Sequence, residues 1–151
     1  MKLVAGGLSL ELPSGWEARL RRQPPSQPGR VGNVLLHAAT VALPESRGDF
    51  GSGVVQTLGA EDAFIALLEY DAKDADAVLF VADRVPVPRP SDFSPAVLQR
   101  TIGAATGAQW FFSVAGRPFA LHVVLGSHAR RSPGATKVAN LLAGLRIGAR
   151  S

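Results

Sequence analysis

Residues 108–126 read AQWFFSVAGRPFALHVVLG, and this stretch decides the fold. Apolar side chains alternate along both of its halves. The first half carries them at Trp110, Phe112 and Val114, and the second at Phe119, Leu121, Val123 and Leu125. Ala115 and Gly116 lie between the halves, and glycine adopts positive φ at little cost. The pattern predicts two antiparallel strands joined by a tight turn.

The C-terminal segment carries aliphatic residues at helical spacing. They are Val138, Leu141, Leu142 and Leu145, at positions i, i+3, i+4 and i+7. Ser132 is suited to cap a helix, and Pro133 to occupy its first position. Burying one such aliphatic side chain contributes about 1.5–3 kcal/mol. We therefore expect an amphipathic helix that packs on the sheet.

Two apolar runs precede the hairpin. Residues 33–43 are apolar on both parities, which is typical of a central strand covered on both faces, and Pro44 ends the run. Residues 63–70 are predicted to form a strand, although their alanine and leucine content leaves a helix open. Residues 54–58 fit a short strand or a helical turn, and we favour the helix because Gly59 stands where a C-terminal cap belongs.

The N-terminal region predicts a further pair of strands. Apolar residues alternate with polar ones over residues 8–12 and again over residues 16–20. Pro13, Ser14 and Gly15 between the two segments have turn chemistry. We expect the two strands to pair as a hairpin with Trp16 as an apolar anchor near its turn.

Proline punctuates the region before the long hairpin. Pro86, Pro88 and Pro90 recur at every second residue, which locks an extended conformation and removes backbone donors. This spacing suits a sheet edge or a linker. Ser94 followed by Pro95 indicates the start of a helix or turn.

These elements predict one α+β domain over residues 1–151. Its sheet is mostly antiparallel, with five to seven strands and packing helices. The chain has no cysteine, which excludes disulfides, thiolate metal sites and a cysteine nucleophile. No apolar stretch approaches the roughly 20 residues of a membrane helix. The first twelve residues build no signal-peptide core, so we expect a cytoplasmic protein without a membrane partner.

The order of these signals resembles the PsbP-like α/β/α sandwich domains, a fold shared with the Ran-binding Mog protein and with small actinobacterial proteins. The resemblance is carried by Pro13-Ser14-Gly15-Trp16, by the hairpin over residues 110–125 and by Gly144-Leu145-Arg146-Ile147. Residues 64–70, Asp92-Phe93 and the passage from Gly116-Arg117-Pro118-Phe119 into Gly126-Ser127 add to it. The resemblance implies a non-catalytic scaffold that binds proteins or ligands, and it supplies no catalytic residues.

The histidines are the candidates for acid–base chemistry. His37 and His122 each lie in the middle of a predicted strand. If those strands are neighbours in matched register, the two imidazoles share a sheet face and could form a site. The alternative, which we favour, is two partly buried, hydrogen-bonded histidines. His128 is expected to be a solvated loop residue.

No motif indicates a metal, a cofactor or a nucleophile. The sequence lacks zinc-ligand spacing, an EF-hand loop and Gly-x-Ser-x-Gly. Gly51-Ser52-Gly53 could hold an anion at a helix start, but a plain loop is the favoured interpretation. Arg130 and Arg131 cluster, as do three arginines over residues 19–22, yet no aromatic side chains interleave with them. Nucleic-acid binding is therefore not expected.

The aromatic residues of the hairpin suggest a route to function. Trp110 and Phe112 point to one sheet face and Phe111 to the other, so both faces need a cover. If the chain supplies too little cover, a partner must bind there. We expect a non-catalytic protein-binding or assembly domain, with self-association left open. The alternative is a small-ligand or enzymatic pocket that uses His37 and His122. A weaker one is an anion or nucleic-acid binder that uses the arginine clusters, at residues 19–22 and at Arg130 and Arg131.

Overall fold

The computed structural model describes residues 1–25, 32–44, 53–98 and 102–150. These residues form eight strands and one α-helix. The strands are β1 (Lys2–Ala5), β2 (Leu8–Glu11), β3 (Glu17–Arg22), β4 (Val34–Ala39), β5 (Ala63–Glu69), β6 (Thr106–Val114), β7 (Arg117–Leu125) and β8 (Leu145–Ile147). The helix is α1 (Arg131–Ala143). No helix among the described residues is long and apolar enough to cross a membrane.

The strands form two antiparallel sheets instead of the single sheet that the sequence predicts. One sheet has three strands in the order β1-β2-β8, and the other has five in the order β3-β4-β5-β7-β6. The prediction of an α+β chain with antiparallel strands is confirmed. The five strands of the larger sheet lie within the predicted five to seven, whereas the described residues form eight strands in two sheets.

The predicted pairing of residues 8–12 with residues 16–20 is wrong. β2 pairs with β1 on one side and with β8 on the other, whereas β3 pairs with β4. Gly6 and Gly7, at φ 56° and 85°, make the turn between β1 and β2. A Cβ atom at Gly7 would lie 2.0 Å from the carbonyl oxygen of Ala149. Gly7 therefore permits the close approach that brings β2 to β1 and β8, and residues 12–16 cross from one sheet to the other.

The hairpin over residues 108–126 is confirmed. Val114 faces Arg117 across a two-residue turn in which Ala115 and Gly116 have φ 54° and 70°. Positive φ at both central residues gives the turn the twist that flanking strands require.

The core lies on both faces of the five-stranded sheet. β4 is buried at all six positions, as the apolar residues on both parities predict. One face packs against the small sheet and α1, and its buried residues include Leu8, Leu10, Leu36, Ile65, Leu121, Val138 and Leu141. The opposite face carries a second cluster made of Ala39, Leu43, Val54, Phe64 and Ala66.

The C-terminal helix packs as predicted but begins earlier. Val138, Leu141 and Leu142 are buried in the core, and Leu145 is buried as well but belongs to β8. α1 starts at Arg131 with Arg130 at the cap position, so Ser132 and Pro133 lie inside its first turn. Proline is tolerated there because the first amides of a helix have no partner within it.

Short 3₁₀ turns lie between β4 and β5 and between β5 and β6. They cover Val55–Thr57, Ala72–Asp74, Val78–Phe80, Pro90–Asp92 and Pro95–Val97. The helical interpretation of residues 54–58 is thus confirmed as a single 3₁₀ turn, although Leu58 and not Gly59 ends it. Ser94 accepts a hydrogen bond from Ala96 N, so the predicted start at Ser94-Pro95 is confirmed.

The proline-rich segment lies along the edge of β6. Ser113 N donates to Ala82 O at 2.7 Å, and Gly107 exchanges two backbone hydrogen bonds with Ser94 at 2.9 and 3.1 Å. Residues 82–94 therefore run beside this outer strand, which agrees with the edge position predicted from the proline spacing. The predicted loops over residues 23–32 and 45–53 lie largely outside the described residues.

Candidate functional site

His37 and His122 share one row of the five-stranded sheet. His37 faces Arg19 on one side and Ala66 on the other, and Ala66 in turn faces His122, which faces Gln109. Residues directly opposite each other on antiparallel strands project from the same face. The two histidines therefore lie on one face, although β5 separates their strands. Two strand spacings put their Cα atoms about 10 Å apart.

The two imidazoles lie in different surroundings. His37 is buried, and its ring centroid lies 5.5 Å from that of Phe64. His122 is half-buried, and its Nε2 lies 3.3 Å from Nε2 of the exposed Gln109. Burial lowers the pKa of His122 below its ordinary value, because desolvation disfavours the imidazolium.

The row lacks a carboxylate that could orient either imidazole for acid–base catalysis. A general base is normally oriented by a carboxylate or another polar group within hydrogen-bond reach of its ring. The row consists of Arg19, His37, Ala66, His122 and Gln109, so it contains no carboxylate. Among the described residues, no group of three or more His, Asp or Glu side chains could hold a metal ion.

The same sheet face carries Phe111, and the chain supplies its cover. The ring of Phe80 meets that of Phe111 edge to face at 5.8 Å, and Tyr70 lies 5.3 Å from Phe80 on the other side. Phe111 is therefore half-buried under an aromatic cluster and does not itself form an exposed patch. Trp110, on the opposite face, packs edge to face with Phe93 at 6.2 Å.

The cover of Phe111 is itself exposed on its outer side. Phe80 is only 4% exposed, whereas Val78, Leu79 and Val81 are 87%, 55% and 81% exposed. We call these three side chains the apolar turn. The alternation of the hairpin predicts that Phe111 needs a cover, but it does not show which residues of that cover face solvent. The signal was the run AVLFVA over residues 77–82, in which one apolar residue points inward.

The chain matches no protein-family model, no curated protein and no solved structure.

The two arginines that cluster before α1 both donate hydrogen bonds to groups of the same chain. Arg130 Nε donates to Glu61 Oε1 at 2.7 Å, and Arg131 Nη1 donates to the carbonyl of His128 at 2.9 Å. The hydrogen bond from Arg130 lowers the pKa of Glu61, and the guanidinium charge acts in the same direction. A pair as exposed as this one contributes little to stability. Its local partners reduce the capacity of the cluster for an external anion.

His128 differs from the sequence prediction of a solvated loop residue. Its side chain is half-buried, and Nδ1 lies 2.9 Å from the hydroxyl oxygen of the buried Thr106. Its backbone amide donates to Ala104 O at 2.8 Å. His128 therefore anchors the passage from β7 to α1. Gly51 and Ser52, the other candidate anion site, lie outside the described residues.

A buried ion pair was not predicted from the sequence. Glu69 ends β5 and Arg117 begins β7, and their side chains are 0% and 2% exposed. Glu69 Oε1 accepts from Val34 N and from Arg117 Nη2, both at 3.0 Å. Glu69 Oε2 accepts from Arg117 Nε at 2.8 Å and lies 2.9 Å from Arg150 Nη2.

The ion pair also reaches the segment after β8. Arg117 Nη1 donates to the carbonyl of Gly148 at 2.9 Å, and Gly148 N donates to Gly7 O at 2.8 Å. Arg150 adds a bond from Nη1 to Asn33 Oδ1 at 2.9 Å. Every polar atom of the pair thus has a partner, as buried charges require. This cluster holds the two sheets together and offers no unfilled position for a ligand.

Proposed function

We propose that the protein is a non-catalytic protein-binding domain whose contact surface is centred on the apolar turn. The observation that carries the proposal is the exposure of Val78, Leu79 and Val81 around the buried Phe80. Clustered exposed apolar residues with a polar rim are typical of interaction sites. Lys73, Asp76 and Asp83 supply polar neighbours in the chain on either side of the turn.

The anchoring of the turn supports this role. Phe80 packs between Tyr70 and Phe111, so the three outer side chains are held on a fixed base. A surface that is already ordered loses less conformational entropy on binding. Each aliphatic side chain that a bound protein covers would contribute about 1.5–3 kcal/mol.

The proposal extends to fold family and location. We include in it the PsbP-like resemblance, in which the domain serves as a binding scaffold. The feature that motivates this is the five-stranded antiparallel sheet with α1 on one face. In that resemblance the complete arrangement is an α/β/α sandwich, and here the 3₁₀ turns would stand in the place of the second helical layer. A cytoplasmic location remains part of the same proposal.

Site-specific photo-crosslinking tests the contact surface. A photoreactive amino acid is placed at Leu79, or at the exposed Ser132 of α1 as a control, in cells that produce the protein. We expect a covalent adduct with one defined protein at Leu79 and not at Ser132. The crosslinked protein is then purified, and its affinity for the unmodified chain is measured by calorimetry.

The matched variants are Leu79→Glu and Val97→Glu, because Val97 is also an exposed apolar residue in a 3₁₀ turn. L79E should weaken binding by more than about tenfold, since a central contact is lost and a carboxylate is desolvated. V97E should leave the affinity unchanged. Equal binding by both variants, or no adduct at Leu79, would refute the apolar turn as the contact surface.

A second candidate function is a small-ligand site at the histidine row. It is favoured by one observation, the placement of His37 and His122 in the same row with only Ala66 between them. A screen of small polar fragments by NMR, read on the two imidazole signals, tests it. A fragment that shifts the signals of His37 and His122 in the native chain supports the site, provided that it no longer shifts the His37 signal in His122→Phe. A screen without such a fragment eliminates it.

A further inference from the structure

β3 is an outer strand of the five-stranded sheet, and its hydrogen-bonding direction follows from the ladder. Gln23 N donates to Asn33 O at 2.7 Å, which continues the register of β3 with β4. Hydrogen-bonded and non-hydrogen-bonded pairs alternate along an antiparallel ladder. Arg21, Arg19 and Glu17 therefore bond to β4, and the backbone groups of Ala18 and Leu20 point away from the sheet.

Those outward groups have no partner within the described part of the chain. No hydrogen bond joins the N–H or C=O of Ala18 or Leu20 to another described residue. The opposite edge differs, because residues 82–94 run along β6 and bond to it at Gly107 and Ser113. Unpaired edges readily add another strand.

The side chains of β3 define which strand fits. Glu17 and Arg21 are exposed and have the same parity, so they project from the same sheet face. Arg19 lies between them and is held back on that face by hydrogen bonds to the carbonyls of Leu43 and Pro44. Glu17 Oε2 also accepts from Leu43 N at 3.1 Å, so the edge presents a carboxylate that is anchored through one oxygen at one end and an exposed guanidinium at the other.

We propose that two copies of this chain pair through their β3 edges. In an antiparallel arrangement centred on Arg19, Ala18 of each copy lies opposite Leu20 of the other, and their outward N–H and C=O groups bond across the interface. The same register places Glu17 of each copy opposite Arg21 of the other. Directly opposed ions of opposite sign stabilise such a pair of strands.

The register is selected by charge. In this register Arg19 of each copy lies opposite Arg19 of the other, but both guanidinium groups are turned to the carbonyls of Leu43 and Pro44 of their own chain. Those bonds also weaken the register with Ala18 opposite Ala18, in which Glu17 would face the occupied Arg19.

Moving the pairing by two residues, so that Leu20 lies opposite Leu20, places Arg19 of each copy opposite Arg21 of the other. Like charges in direct opposition destabilise a strand pair. A second copy therefore supplies a complementary edge by two-fold symmetry, which is the commonest closed arrangement of identical chains. This surface is separate from the apolar turn, so the dimer does not depend on the proposed function.

The oligomeric state of the full chain tests the proposal. Mass is measured by light scattering or sedimentation at about 0.15 M salt and over roughly 1–100 µM protein. We expect the native chain to dimerise and Arg21→Glu to raise the dimer dissociation constant about tenfold, because two opposed ion pairs become two repulsive pairs. Arg84→Glu is the matched control, because Arg84 is an exposed arginine outside β3 and its charge change is identical.

Mixing two variants separates a specific edge contact from loss of folding. Glu17→Arg opposes like charges in the same way as R21E, so each variant alone should be mostly monomeric at a concentration near the native dissociation constant. A mixture of E17R and R21E restores two attractive pairs and should form the dimer again. A monomeric native chain overturns the proposal. So does a dimer that R21E leaves intact, or a mixture that stays monomeric while both variants keep the native circular dichroism spectrum.

Discussion

Replacing Arg117 with methionine removes one half of the buried ion pair while keeping a side chain of similar length. Arg117 provides two of the four contacts that Glu69 makes through its carboxylate oxygens. It also supplies the donor for the carbonyl of Gly148. After the substitution, among the described residues, Glu69 keeps only Val34 N and the guanidinium of Arg150.

The expected cost follows from what remains around the carboxylate. Removing one member of a buried ion pair destabilises a protein by about 3–5 kcal/mol, since the other charge stays desolvated. Arg150, 2.9 Å from Glu69 and only 25% exposed, compensates in part and places the cost near the lower end. We expect R117M to lower the free energy of unfolding by about 3 kcal/mol. For a domain of this length that lowers the melting temperature by roughly 6–12 °C.

Chemical denaturation with urea, followed by circular dichroism and tryptophan fluorescence, measures this change. Arg84→Met is the control, because Arg84 and its neighbour Asp83 are both 86% exposed. That variant should remain within about 0.5 kcal/mol of the native chain. The double variant Glu69→Met with R117M removes both charges, so its loss should be clearly smaller than the sum of the two single losses.

Two results would refute the reasoning. One is a loss of less than about 1 kcal/mol in R117M, which would mean that Glu69 is rehydrated when its partner leaves. The other is additivity of the E69M and R117M losses, which would mean that the two side chains act independently.

Three further predictions concern the core, the hairpin turn and His122. Leu141→Ala should cost about 2–5 kcal/mol by urea denaturation, because Leu141 is fully buried between α1 and the sheet, whereas Val97→Ala should cost less than about 0.5 kcal/mol. Ala115→Gly should raise the melting temperature, because it relieves positive φ at a non-glycine residue, and Gly116→Ala should lower the free energy of unfolding by about 1 kcal/mol. Burial lowers the pKa of His122 in the folded chain, so the unfolded chain takes up the proton first as the pH falls through 6.5. The free energy of unfolding should therefore decrease as the pH falls below 6.5 and level off below the pKa of His122 in the folded chain. The melting temperature of His122→Gln should fall less than that of the native chain between those two pH values.

Much of the sheet could be predicted because its signals are local. The alternation over residues 108–126 and the Ala115-Gly116 turn fix both strands and their pairing. The hairpin predicted for residues 8–20 is wrong because alternation identifies a strand but not the strand with which it pairs. Pro13 to Gly15 has turn chemistry, but the decisive turn is Gly6-Gly7, which joins two strands at the N-terminus.

The site depended on contacts that are distant in sequence. His37 and His122 share a row only because β5 lies between their strands in a register that places Ala66 opposite both. Glu69 and Arg117 look like ordinary charged residues at strand ends, and their burial follows from the segment after β8 folding over them. Neither arrangement leaves a pattern in spacing or composition.

The proline-rich segment along β6 has a consequence for assembly at high concentration. A sheet open at both ends can add copies without limit and grow into a fibre, whereas one end of this sheet is blocked by residues 82–94. Pairing through β3 would consume the remaining end in both copies at once. Growth would then stop at two chains, so the arrangement that permits association also prevents polymerisation.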